Sequence, residues 1–281
     1  MEKLPRLQAR IASLRDLRDL MRALRALAAA HVQEAQGAVA GMRRYADVVE
    51  DSIADALGLL TAARDDRVAS PAIGPGIVIA ICSEQGFVGA LNELILDRAD
   101  AETGDGRQLV VVGRRGAMLA EERKLAVARR FPMPTHAGGV LALTRRTADY
   151  LATATSADIV YAAYRRGGRF RVAVKRVLPL EPALFKGRQG AGRPLCQLPP
   201  ALLLQRLAGE YLFAELTAAV MEALASENGA RLAVMEAADR NIGDRLETLT
   251  REEHALRQNA ITEELLDVVT GAEAVMGNQI R

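Results

Sequence analysis

From residue 4 to residue 60 apolar positions recur at steps of three and four. Leu4, Leu7, Ile11, Leu14, Leu17, Met21, Leu24 and Ala28 make the strong part of the series; Val32, Ala35, Val39, Met42, Val49, Ile53, Leu57 and Leu60 continue it more weakly. This is the period of one helix face. It returns after residue 200, in Leu212, Leu216, Val220 and Leu224, then Ile242, Leu246, Leu249, Leu256, Ile261, Leu265, Val268 and Val275. Proline obeys the same division. All ten prolines lie at 5, 71, 75, 132, 134, 179, 182, 194, 199 and 200, so 6–70 and 201–281 are free of them. A proline inside a helix costs about 3 kcal/mol, and Pro5 falls where a first turn tolerates it. Two helices are predicted, roughly 80 Å and roughly 110 Å long at 1.5 Å per residue. Gly37 and Gly41 each weaken the first by about 1 kcal/mol relative to Ala. Asn241-Ile242-Gly243 is the weak point of the second, a candidate kink or register change.

Helices of this length imply a coiled coil, a membrane span or a repeat. No repeat is visible, and no apolar run approaches the roughly 20 residues a span needs. Charge favours pairing. Lys3–Arg25 holds seven basic and two acidic residues, while Glu210–Glu273 holds fourteen acidic and five basic ones. Oppositely charged helices with apolar stripes suit each other, and with a whole domain between them the simplest closed pairing is antiparallel. Two separate amphipathic helices on a globular core are disfavoured, because they outreach a domain of about 130 residues.

The middle of the chain has strand texture. Ile77–Ile81, Leu109–Gly113, Ala157–Tyr164 and Phe170–Leu180 are rich in Val and Ile. Ala90–Asp100 and Arg115–Lys124 have helical spacing between the first strands, which predicts an α/β domain with a mostly parallel sheet. Arg165–Gly168 joins the last two strands as a hairpin, and 186–200 is loop. The expected fold is mixed α+β and α/β. Residues 1–62 form one coiled-coil helix, 69–200 the α/β domain, and 201–281 the second helix, paired with the first.

Candidate chemistry centres on CSEQGFVGALNEL, Cys82–Leu94. A strand, a glycine-bearing turn and a helix can cradle phosphate. A P-loop needs GxxxxGK[ST] and a dinucleotide fingerprint GxGxxG; this loop has GxxG from Gly86 to Gly89, with neither a lysine nor a hydroxyl after Gly89. A tight structural turn is favoured over a nucleotide site. His31, His136 and His254 have no metal-ligand spacing, and Cys82 and Cys196 form no CxxC. The basic run Arg165–Arg176 carries a single aromatic, Phe170, too little for a stacking platform. With a net charge of +2, general attraction to nucleic acid is not expected. The charged N-terminus is not a secretory signal.

Two blocks carry a family resemblance. Ala225–Val275, above all RQNAITEELLDVVTGAEA, resembles the end of the gamma subunit of F-type ATP synthases, and Ile11–Gln36 resembles its first helix. SEQGFVGALN is similar to a third segment. The resemblance implies an antiparallel coiled coil over an α/β foot, acting as the rotor shaft inside a ring of alternating alpha and beta subunits. It implies attachment through the epsilon subunit to the membrane c-ring, one copy per complex, and a peripheral location on the cytoplasmic face of a bacterial membrane. It implies no catalytic residue, cofactor or metal on this chain, and rotation coupled to ion transport and to ATP turnover on beta. By motif position it implies rotor contacts at Arg231, Arg257, Gln258, Thr262 and Asp267, with Ser83, Glu84 and Gln85 from the loop and Arg22, Leu24 and Arg25 on the shaft. Where the family commonly reads ITKAMEMVAASK this chain has LMRALRALAAAH, and DRGLCG is replaced by EQGFVG. These departures suggest a divergent member, of an alternative ATPase. The coupling ion, proton or sodium, is not legible. A non-catalytic coiled-coil adaptor with an α/β head, or a small α/β enzyme with helical arms, would share the topology.

Overall fold

The computed structural model describes residues 3–63, 74–165, 167–180, 185 and 196–278. The elements are α1 (Lys3–Ala63), β1 (Gly76–Ile81), α2 (Leu91–Glu102), β2 (Gln108–Val112), α3 (Arg114–Glu122), β3 (Val127–Phe131), α4 (Val140–Leu151), β4 (Ser156–Arg165), β5 (Arg169–Leu178) and α5 (Pro200–Asn278). Within the described residues the long proline-free segments are helices, as their periodicity predicts. The expected weak point at Asn241–Gly243 does not interrupt α5, which is continuous there.

The chain forms two compact units: Met1–Ala26 with Met235–Arg281, and Leu27–Val234. In the first, the start of α1 lies along the latter part of α5. Gln8 Nε2 donates to Glu253 Oε1 at 2.9 Å, Ile11 packs with Leu246 and Leu249, and Arg18 Nε donates to Asp239 Oδ1 at 2.8 Å. Partner numbers fall as α1 rises, so the pair is antiparallel. In the second unit Arg43 pairs with Glu222, and Tyr45 donates to Glu210 Oε2 at 2.6 Å, which is again antiparallel.

The second unit contains a five-stranded sheet in the order β3-β2-β1-β4-β5. Its first four strands are parallel, and β5 returns antiparallel to β4. Alternation along β1 sets the two layers. Ile77, Ile79 and Ile81 face a core shared with α4, α5 and Ala35 of α1, while Val78, Ala80 and Cys82 face a core shared with α2 and α3. Covering both faces is what a continuous apolar strand requires.

Two elements escape the apolar pattern. β3, VARRF, carries Arg129 and Arg130 because it is an edge strand, exposed along much of its length. α4 holds two threonines and two adjacent arginines in VLALTRRTADYL. Its buried residues, Val140, Leu143, Thr144, Thr147 and Leu151, keep the helical period. The basic hairpin is present, and Phe170 packs against the sheet core. Most of the expected loop at 186–200 lies outside the described residues.

Candidate functional site

The loop after β1 occupies a privileged place. Connections run from β1 to β2 and β3 on one side, and β4 lies on the other. The strand order therefore reverses at β1, and in open α/β sheets ligands bind beyond the strand ends at such a point. Here the place is filled by the chain itself. The Glu227 carboxylate of α5 accepts long hydrogen bonds from the backbone N–H groups of Glu84 (3.4 Å) and Gln85 (3.5 Å). The donors that would otherwise be free for an anion in this turn face a carboxylate of the same molecule.

Ser83, Glu84 and Asn92 also have internal partners. Ser83 N donates to Asn92 Oδ1 at 2.8 Å, Asn92 Nδ2 donates to Ser83 Oγ at 2.8 Å, and Ser83 Oγ donates to Gln85 O. Glu84 Oε2 accepts from Arg114 N (3.0 Å) and Met133 N (2.9 Å), and Arg114 Nε donates to Glu84 Oε1. Burial pushes the Glu84 carboxyl upward, but these donors outweigh it and hold the group below the usual range. Gly113 makes the approach possible. Its φ is 101°, and a Cβ there would lie 2.5 Å from the carbonyl oxygens of Cys82 and Ser83.

Arg231 completes the arrangement. Nη2 donates to Glu227 Oε1 at 2.7 Å, Nη1 to Asn228 Oδ1 at 2.9 Å, and Nε to Gly86 O at 3.3 Å. Burial raises the Glu227 pKa, and the Arg231 charge opposes the rise. Burial also pushes the Cys82 thiol up, with the Glu227 charge adding to it.

The residues singled out from sequence fall into three groups. Arg231, Ser83, Glu84 and Gln85 are brought together in the loop network, where Ser83, Glu84 and Arg231 are buried and Gln85 is exposed. Neighbouring Phe87 is exposed too, at 62%, with a φ of 61°. Arg22 and Arg25 converge with Arg18 on Asp239, at 3.3 Å and 4.0 Å, and Leu24 is half-buried beside them. Arg18 lowers the Asp239 pKa through its hydrogen bond, despite some desolvation, and the other two arginines add to the lowering. Arg257, Gln258 and Thr262 are exposed on α5. Arg257 pairs with Glu253 at 3.0 Å, and Thr262 Oγ1 donates to Gln258 O at 2.9 Å. Asp267 is helical, and its side chain lies outside the described residues.

Sequence reasoning did not single out Glu227, Arg114 or Asp239. Glu227 lies in ASENGAR, within a quoted motif, but its partners are about 140 residues away in the chain. Among the described residues no group of three or more His, Cys, Asp and Glu is placed to hold a metal. None of the helices is long and apolar enough to cross a membrane, among the same residues.

Comparison with known proteins agrees along nearly the whole chain. The family described as ATP synthase matches residues 3–275. The ATP synthase gamma chain of an Anaeromyxobacter species is 29% identical over 300 residues, covering 98% of this chain and all of the relative. That of Saccharopolyspora erythraea is 28% identical, covering 98% of each. In fold, the chain is similar to one in the cryo-EM structure of the Tetrahymena thermophila mitochondrial ATP synthase central stalk and c-ring. The TM-score is 0.56 at 16% identity, covering 78% of this chain and 99% of that one. A chain of the Euglena gracilis mitochondrial ATP synthase also gives 0.56, at 15% identity, covering 88% of this chain and 95% of that one. With its antiparallel helices, its α/β domain and this match over residues 3–275, the chain belongs to the ATP synthase gamma-chain family.

Proposed function

We propose that the chain is the central-stalk rotor subunit of a rotary F-type ATP synthase or ATPase. It couples ion-driven rotation of a membrane c-ring to conformational change in catalytic beta subunits. The observation that carries this is the antiparallel register of α1 and α5, in a chain matched over residues 3–275 by the family. Two helices joined by an apolar seam and lateral ion pairs resist twisting better than one. Exposed ion pairs at the rim are worth about 0–1 kcal/mol each, weak enough to be exchanged as a shaft turns.

The partners follow from the same reading. An alpha/beta ring surrounds the helical pair, with Arg257, Gln258, Thr262 and Asp267 as contacts, and epsilon and the c-ring attach to the α/β domain. Gln85 and Phe87 are the loop side chains available to a neighbour, since Ser83 and Glu84 turn inward. One copy serves each complex. The chain carries no catalytic group, ATP chemistry residing on beta, and the complex sits peripherally on the cytoplasmic face of a bacterial membrane. The test is ATP-driven ion pumping by inverted vesicles assembled with and without this chain. Pumping that needs the chain supports the proposal; equal pumping without it refutes the proposal.

A further inference from the structure

Every residue of α5 from Ala219 to Arg231 is buried. Thirteen residues exceed three turns of helix, so α5 is enclosed all the way round over this length rather than along one stripe. A helix enclosed in this way is normally apolar on every side. This one is not, for its last six residues are Ser226-Glu227-Asn228-Gly229-Ala230-Arg231.

These residues grip the α/β domain in several directions. Ser226 Oγ donates to Ala162 O of β4 at 2.7 Å. Glu227 accepts from the loop after β1, and Arg231 donates to Gly86 O of that loop. Gly229 lies against the β4–β5 hairpin turn, where a Cβ would meet Gly168 Cα and Tyr164 Cε2 at 3.1 Å. From the other side, a Cβ on Gly168 would lie 2.7 Å from Gly229 O. Ala230 joins the α2–α3 core, whereas Ala225 joins the opposite one. An apolar sleeve would hold α5 in place with little preference for one angle. Directed buried polar contacts fix register instead, which is their best-attested use.

We infer that Ser226–Arg231 is a torsional lock that fixes the angle of α5 within the α/β domain and passes torque between them. This rests on the rotor reading. Glu227 and Arg231 are positioning residues in it, and Gly229 supplies the close approach.

The test uses the intact complex in vesicles and measures ions pumped per ATP hydrolysed, with and without an opposing ion gradient. Glu227→Gln with Arg231→Met keeps side-chain volume and removes the charged lock. The ratio is expected to match the parent without load and to fall at least about threefold under load. Gly229→Ala keeps the charges, wedges α5 from the hairpin, and should give the same load dependence. A role in folding alone would lower the amount of assembled complex without making its ratio depend on load. Assembled variants with the parental ratio at every gradient overturn the lock, as does failure of both to assemble, which would mark the segment as packing only. Failure of the rotor reading is distinct, because the parental complex would then not pump with this chain as its rotor.

Discussion

Arg18 and Asp239, 221 residues apart in sequence, are joined by a hydrogen-bonded ion pair of 2.8 Å, and Arg22 and Arg25 share the same carboxylate. One acid thus answers three bases along a seam between α1 and α5. Asp239→Asn leaves the three arginines facing one another. The Asp239 pKa lies below the ordinary value, so its contribution is present above the unfolded-state pKa of about 3.9 and is lost as pH falls through the lower folded value. Thermal unfolding of the variant should begin below that of the parent at pH 7, with the gap closing in strong acid. A gap that persists in acid would count against the ion pair as its cause.

Gly243 lies beside that pair. A Cβ there would sit 3.1 Å from Arg18 Nη2, the movable end of a long side chain. Gly243→Ala should gain helix propensity of up to about 1 kcal/mol, reduced by whatever the displaced Arg18 loses. In an Asp239→Asn background the gain should be larger. A double-mutant cycle by chemical denaturation measures the difference; no coupling between the two sites would contradict the placement of Arg18.

Glu84 and Gln85 are neighbours with opposite expectations. Glu84→Ala orphans the N–H groups of Arg114 and Met133, which predicts a loss of about 1–3 kcal/mol. Gln85→Ala, at an exposed side chain, should stay within about 0.5 kcal/mol. Urea unfolding of both variants decides this, and equal losses would mean that the loop is not held through the Glu84 carboxylate.

Phe87 adopts a left-handed backbone while its ring is exposed. Such a conformation costs an L-residue roughly 1–2 kcal/mol. Phe87→Gly should therefore stabilise the isolated chain, or leave it unchanged once glycine's extra unfolded-state entropy is counted. The same variant should weaken the complex if the ring meets a neighbouring subunit. Melting temperature and retention of the ring on an affinity-tagged chain separate the two effects.

Tyr45 and Tyr161 should ionise late. The hydrogen bond to Glu210 raises Tyr45 to about 12, and burial, with the charges of Glu222 and Glu215, raises Tyr161 to about 12. Each raised pKa favours the folded state below about pH 10, and that contribution is lost as pH rises through about 12. Ultraviolet difference titration should show a delayed group that is lost in Tyr45→Phe and another that is lost in Tyr161→Phe.

The long helices were legible because proline and three-four spacing are local signals. So was the strand, turn and helix around Ser83–Asn92, because Gly86 and Gly89 stand between an apolar run and a stretch of helical spacing. β3 was hidden because an edge strand needs only part of its surface buried, and Arg129 and Arg130 use the rest. The grip of Glu227 and Arg231 on the loop was hidden for a different reason. It is created by bringing residues 84–86 and 227–231 together, and nothing within either segment states the pairing. Arg231 could be singled out by its motif, but its inward direction could not.

The most direct test of the rotor assignment is native mass spectrometry of the complex captured on this chain. One copy of the chain is expected with three alpha and three beta subunits. Three copies per ring, or a complex without the ring, would contradict it.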